Sequence, residues 1–144
     1  MIQISMTVKT EKLMKKVLLI DDDKICNFLC VKMLELTGFS ENVRTALNGS
    51  EALVMLNDYN PDIILLDLDM PIMNGFGFLA AFEELVYPEK EKVKIIILTS
   101  SNNPNDIAKA KKLGINHYLI KPLEMKPFHA ALNSMPKVLE ETES

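Results

Sequence analysis

The chain of 144 residues has no tryptophan, only two cysteines, and no apolar run approaching the roughly 20 residues that cross a bilayer. Its opening stretch, MIQISMTVKTEKLMKK, also lacks the apolar centre of a secretion signal, so the expected location is the cytoplasm, with no membrane contact. Lysine and arginine total 16 against 20 acids, for a net charge of −4, and there is no basic run to neutralise a phosphate backbone. An interface with nucleic acid is thereby excluded on electrostatic grounds. Cys26 and Cys30 lie four apart on a predicted helix, with no second pair and no nearby histidine to complete a metal site. Two buried, reduced thiols are expected. Internal repeats are absent too.

What is present fits one domain. With 48% apolar residues, a chain of this size buries about 68–70% of its unfolded surface. The expected division is a frayed extension over 1–15, a folded domain over 16–137 and an acidic tail over 138–144, with Met1, Met6 and Met14 as alternative starts. Four segments, VLLIDDDK at 17–24, DIILLDLDMP at 62–71, IIILTSS at 95–101 and YLIKP at 118–122, begin in short aliphatic runs and stop at a charged or hydroxyl residue. Such runs are too short for helices and carry the pattern of strands buried on both faces. They alternate with amphipathic stretches, which predicts repeated βα units and an α/β fold with a parallel, doubly wound sheet. A more polar strand at about 42–47 reads as an edge.

The helices have recognisable ends. After Asp23, an N-cap, the residues Ile25, Phe28, Leu29, Met33 and Leu36 recur at helical spacing, and Gly38 closes the helix. Ser50 is expected to cap a short helix running to about Asn57, and Asn60 and Pro61 break the chain before the central strand. A third helix runs from Gly75 to about Val86, followed by a solvated loop over 87–94. Pro104 suits the first turn of a fourth helix ended by Gly114. The last begins near Glu124, packs Phe128 and Leu132, and is interrupted at Pro136.

In an open parallel sheet, ligands bind outside the carboxyl ends of the strands. Those ends here carry Asp21, Asp22, Asp67, Thr99 and Lys121. With neighbouring strands about 4.8 Å apart, Asp22 and Asp67 can share one small divalent ion at about 2.1 Å per bond, and hard oxygen ligands favour Mg2+ or Mn2+. Carboxylates this close repel each other and raise one another's pKa, which such an ion relieves. Asp22 is the expected direct ligand, with Asp21 beside it. A carboxylate beside the ion can attack phosphorus to give an acyl phosphate, while Lys121 and Thr99 pair with the phosphoryl oxygens. The Lys121–Pro122 bond is a candidate cis peptide.

In this order, with the MP and NG of DMPIMNG and the KP of YLIKP, these residues resemble the receiver domain of two-component response regulators, over about residues 16–135. The resemblance implies a flavodoxin-like five-stranded parallel sheet in the order 2-1-3-4-5 with helices on both faces. It implies that Asp67 accepts a phosphoryl group from a sensor histidine kinase, hybrid kinase or histidine phosphotransfer protein. Asp21, Asp22, Asp67 and the backbone carbonyl of Asp69 would hold Mg2+, and Tyr118 would switch with Thr99. Asp69 and Ser101, two residues beyond Asp67 and Thr99, would tune the phosphate lifetime. Such a protein is a signalling switch rather than an enzyme in the usual sense, acting on a downstream protein and in some relatives as a homodimer through the fifth strand and last two helices. The loop style and the end soon after the fifth helix resemble stand-alone receivers of phosphorelays, often found beside phytochrome-like kinases. LLDLDMP also resembles the nucleophile motif of haloacid-dehalogenase-type phosphatases, with Asp67 and Asp69 as the pair, and a pseudo-receiver binding module is a further alternative. A flavodoxin-type flavin site is disfavoured, because acids stand where a Gly-rich phosphate loop belongs. His117 is expected on the surface, and His129 has no assigned chemistry.

Overall fold

A computed structural model describes residues 15–88 and 90–134. The ends expected to be frayed, and the interruption at Pro136, lie outside them. In chain order the elements are β1 (Lys16–Ile20), α1 (Lys24–Leu36), β2 (Asn42–Ala46), α2 (Gly49–Met55), β3 (Ile63–Leu66), α3 (Gly75–Glu84), a 3-10 turn at Lys90–Lys92, β4 (Lys94–Thr99), α4 (Pro104–Lys112), β5 (Tyr118–Ile120) and α5 (Met125–Ser134). The strands form one parallel sheet in the order β2-β1-β3-β4-β5, as expected.

Alternation along each strand divides the core in two. Leu18, Ile20, Ile64 and Leu66 face Ala52, Phe78 and Phe82 of α2 and α3. Val17, Leu19, Ile63 and Leu65 face Cys30, Leu34, Phe128 and Ala131 of α1 and α5. Ile97 and Leu68 meet Ala110 of α4. Each fully buried aliphatic side chain contributes about 1.5–3 kcal/mol relative to exposure, so the three central strands carry the stability. The edge strand β2 is tied down by Tyr59, whose hydroxyl donates to the Asn42 carbonyl at 2.8 Å and to the Val17 carbonyl at 3.2 Å. β5 is the other edge, as the expected order places it, but its run is less buried than the aliphatic pattern suggested: Tyr118 and Leu119 are half-buried and Ile120 is exposed.

The first helix departs most from expectation. Its core face is Asn27, Cys30 and Leu34, while Ile25, Phe28, Leu29 and Leu36 are 73%, 59%, 60% and 85% exposed. The apolar spacing read in the sequence is real, but it marks the outer face of the helix. Cys26 is half-buried rather than buried, and Cys30 is buried. Asp23 caps α1 by accepting from the backbone N–H of Ile25 and Cys26. Ser50 does not cap α2; Asn48 does, accepting from the Glu51 N–H while Glu51 accepts from that of Leu47. Ser50 is the second residue of the helix, which thus begins two residues earlier than expected. The segment expected as a solvated loop over 87–94 has structure at both of its ends. It contains the 3-10 turn, Lys94 opens β4, and the Tyr87 hydroxyl donates to Asn60 Oδ1 at 2.6 Å. His117 is half-buried. The Lys121–Pro122 bond is cis.

The link from β3 to α3 doubles back tightly. The Gly75 N–H donates to the Leu68 carbonyl at 3.0 Å, and a Cβ on Gly75 would lie 2.8 Å from Leu68 Cα and press on the Asp67 carbonyl. Both obstacles are backbone, so neither can swing away. In the same turn Ile72 adopts φ 67°, a left-handed conformation that costs a β-branched residue about 1–2 kcal/mol. Gly75→Ala is expected to destabilise the fold by about 1–3 kcal/mol through this overpacking, measured by urea denaturation. A neutral result would mean the turn can open.

Candidate functional site

The site lies where the central strands end. Asp21 follows β1, Asp67 follows β3, Thr99 closes β4 and Lys121 follows β5, so the parallel sheet delivers all four to one edge. Backbone bonds continue the ladder to that edge: Asp21 N–H donates to the Ala46 carbonyl, Asp67 N–H to that of Ile20, and Lys121 N–H to that of Thr99. Asp21, Asp67 and Thr99 are 5%, 5% and 1% exposed, an unusual density of buried polar groups for a domain of this size. They line an open cleft shared with Asp22, Asp23, Asp69, Ser100, Ser101 and Lys121.

Lys121 bridges the two buried acids. Its Nζ lies 2.5 Å from Asp21 Oδ2 and 3.5 Å from Asp67 Oδ2. Burial alone would lower the ammonium's pKa; its hydrogen bond to Asp21 and the charges of Asp67 and Asp21 outweigh that and raise it well above the ordinary value. Lys121 is therefore firmly protonated. Asp67 is held above its ordinary value, chiefly because burial disfavours its charge and further by Asp21. The Thr99 hydroxyl, the Lys121 charge and the Asp69 backbone N–H oppose this shift, the hydroxyl and the N–H by donating to the carboxylate.

Asp21 is fixed from two directions. Its carboxylate accepts the Asp23 N–H at 3.0 Å, and its carbonyl accepts Asn27 Nδ2 at 2.8 Å. Asn27 was missed in the sequence. Its signal was a polar residue on the same helical face as Cys30 and Leu34, masked by the louder apolar stripe beside it. The half-buried Cys26 thiol sits close enough to be affected: burial pushes it up to about 12, assisted by Cys30. It is thus an inert thiol at neutral pH.

Carboxylate oxygens of Asp21, Asp22 and Asp67 lie within 4.8 Å of one another. Two are buried and one is exposed, and all are hard donors, so the set fits a small divalent cation entering from the solvent side. Asp22 is the exposed member, and Asp69 is exposed across the cleft. The structure thus brings together Asp21, Asp22, Asp67, Thr99 and Lys121 as expected. Tyr118 stands one step back, joined to the cleft by a hydrogen bond from its hydroxyl to the Ser101 carbonyl at 2.9 Å. Among the described residues, no helix is long and apolar enough to cross a membrane.

Comparison with known proteins agrees with this geometry. The family model of the response regulator receiver domain matches residues 17–133. The transcriptional regulatory protein CpxR of Escherichia coli K12 is 34% identical over 122 residues, covering 85% of this chain and 49% of its own length. The chain thus spans about half of that relative. A probable chemotaxis protein CheY from Rhizobium etli is 29% identical over 120 residues, covering 83% of this chain and 91% of its own. Among solved structures, a two-component response regulator from Cytophaga hutchinsonii superposes with a TM-score of 0.76 at 33% identity, covering 83% of this chain and 95% of its own. The bacteriophytochrome response regulator RtBRR gives 0.69 at 32% identity, covering 86% and 80%. These matches set aside the dehalogenase-type phosphatase reading of Asp67 and Asp69. This chain is a member of the response regulator receiver domain family of two-component systems.

Proposed function

We propose that Asp67 accepts a phosphoryl group from the phosphohistidine of a sensor kinase, hybrid kinase or phosphotransfer protein, and that the resulting acyl phosphate resets the surface around β4, β5, α4 and α5. The observation that carries this reading is the Asp67 carboxylate itself. It is buried, and 3.5 Å from a protonated lysine at the mouth of an open cleft that it shares with Thr99 and Asp69.

In the transfer, an Asp67 carboxylate oxygen forms the new P–O bond while the donor's P–N bond breaks. The electron pair returns to the imidazole nitrogen, which takes up a proton. Mg2+ or Mn2+, held by Asp21, Asp22, Asp67 and the Asp69 carbonyl, would neutralise charge on the phosphoryl oxygens. Lys121, already beside Asp67, turns its ammonium onto one phosphoryl oxygen, and Thr99 redirects its hydroxyl from the carboxylate to another. The movement of Thr99 leaves room near β5 that favours the inward position of the Tyr118 ring. Phosphate then stabilises one packing over another through contacts that only that packing makes. Asp69 and Ser101, flanking the cleft, set how readily water reaches phosphorus.

The exposed face of α1 supports a protein as donor. Leu29 and Leu36, with Met33, line an apolar groove whose floor is Leu123 and whose rim is Pro122, the residue after Lys121. A donor reaching Asp67 would cover that groove, which explains apolar residues left in water beside a polar site. The likeness to bacteriophytochrome response regulators favours a phytochrome-like kinase as the cognate donor.

Asp67→Asn is expected to abolish covalent labelling by acetyl phosphate with magnesium; retained label at the same site would remove Asp67 as acceptor. The same substitution should raise the melting temperature at pH 7 without divalent ions. A carboxyl held above its ordinary 3.8 is penalised in the fold once the pH rises past that value, so the gain should vanish as the pH falls below it. Leu29→Glu should lower transfer from a phosphohistidine protein by about tenfold, the cost of losing one interface anchor, and leave acetyl phosphate labelling intact. Equal loss with both donors would place the fault in the site instead.

A further inference from the structure

The turn between β4 and α4 is held by one residue that bonds in every direction. The Ser101 N–H donates to Thr99 Oγ1 at 3.4 Å, and its carbonyl accepts the Tyr118 hydroxyl at 2.9 Å. Its hydroxyl accepts the Asn103 N–H at 3.3 Å and donates to Asp106 Oδ2 at 2.8 Å. Asp106 lies in the first turn of α4, where its position is fixed by the helix rather than by the turn. Tyr118, half-buried, packs against the small cluster of Leu68, Ile97 and Ala110.

We propose that Asp106 is a positioning residue: by accepting the Ser101 hydroxyl it sets the β4–α4 turn so that the Ser101 carbonyl meets the Tyr118 hydroxyl, keeping the ring turned inward before any phosphoryl group arrives. Two of the three groups that Ser101 uses to hold the turn lead to elements other than its own strand. The Asp106 bond leads to α4 and the Tyr118 bond to β5. Without the Asp106 carboxylate, Ser101 keeps only its longer bonds, to Asn103 and Thr99, beside the one to Tyr118, and its carbonyl is free to swing away from that hydroxyl. A preset inward ring removes part of the reorganisation that phosphate binding otherwise has to drive, so the apparent affinity for a phosphoryl group rises with the preset fraction. Asp106 never touches the reacting atoms; it acts through Ser101.

The phosphate part of this inference rests on the function proposed above, whereas the tyrosine part does not. The test uses the full chain labelled with 3-fluorotyrosine, whose three signals come from Tyr59, Tyr87 and Tyr118, the last assigned by Tyr118→Phe. In Asp106→Ala and in Ser101→Ala the Tyr118 fluorine signal should move to a second position, and the double variant should move it no further, because both remove one bond. Asp106→Asn keeps an acceptor oxygen and should leave the signal where it is. Beryllofluoride with magnesium, a phosphoryl mimic, should bind on the order of fivefold more weakly to Asp106→Ala, at the low end of site-to-site coupling. The proposal is overturned if the signal is unmoved in Asp106→Ala. It is equally overturned if Asp106→Asn matches Asp106→Ala, since Asp106 would then act only as a negative charge at the start of α4. If beryllofluoride fails to bind the unaltered chain, the proposed function falls, and the fluorine signals still decide whether Asp106 positions Tyr118.

Discussion

Two buried carboxylates from different strands cannot sit a few ångströms apart without a compensating charge, and the ammonium of Lys121 supplies it. In a medium of low effective dielectric, the repulsion between Asp21 and Asp67 would otherwise favour spreading the strand ends apart or protonating one acid. From the turn after the edge strand β5 its ammonium meets Asp67, which follows β3, and Asp21, which follows β1. It thereby ties the half-exposed edge of the sheet to the centre. One ammonium against Asp21, Asp67 and the exposed Asp22 leaves the cleft with surplus negative charge, which suits it to a cation. The same interaction that lets the fold tolerate its acids thus prepares them for chemistry.

The molecule separates what must be rigid from what is free to move. Asp21 is clamped by backbone and by Asn27, Asp67 by the strand ladder and the Gly75 turn, and both rest on strands whose side chains fill the two core layers. Thr99 and Tyr118 stand toward the less buried side of the sheet, where a hydroxyl and a ring can change partners without opening a cavity in the main core. The strain at Ile72 falls in the turn after Asp67, at the border of these two regions.

Much of this was legible in the sequence because strands buried on both faces announce themselves as aliphatic runs, and the polar residue ending each run marks the sheet edge. Asp21, Asp67, Thr99 and Lys121 could therefore be placed together before their distances were known. The reading failed on α1, because periodicity reports that apolar residues share a face and says nothing of which side that face is on. A docking face and a core face have the same spacing; only the polar Asn27 among the inward positions distinguished them, and a single residue is a faint signal. The burial of β5 was overread for another reason: a run ending in Ile120 shows its apolar character but not how much of each face the neighbouring helices cover. Ser50 lost to Asn48 because both are good caps, and the choice was made by Glu51, whose side chain reaches back only to a helix starting at Gly49. The bond between Ser101 and Asp106 was invisible in advance, as it depends on how a loop enters a helix.

Because every strand runs the same way, the connections divide into two sets that never mix. The turns leaving the strands hold the reactive groups, while those entering them, including the segment around the exposed Pro88 before β4, sit at the opposite pole of the sheet. Among the described residues, that pole carries none of the groups that line the cleft. A fluorophore or affinity handle grafted there would travel with the protein as a passenger, and drift in length or composition at that end is free to proceed while the working end stays as it is.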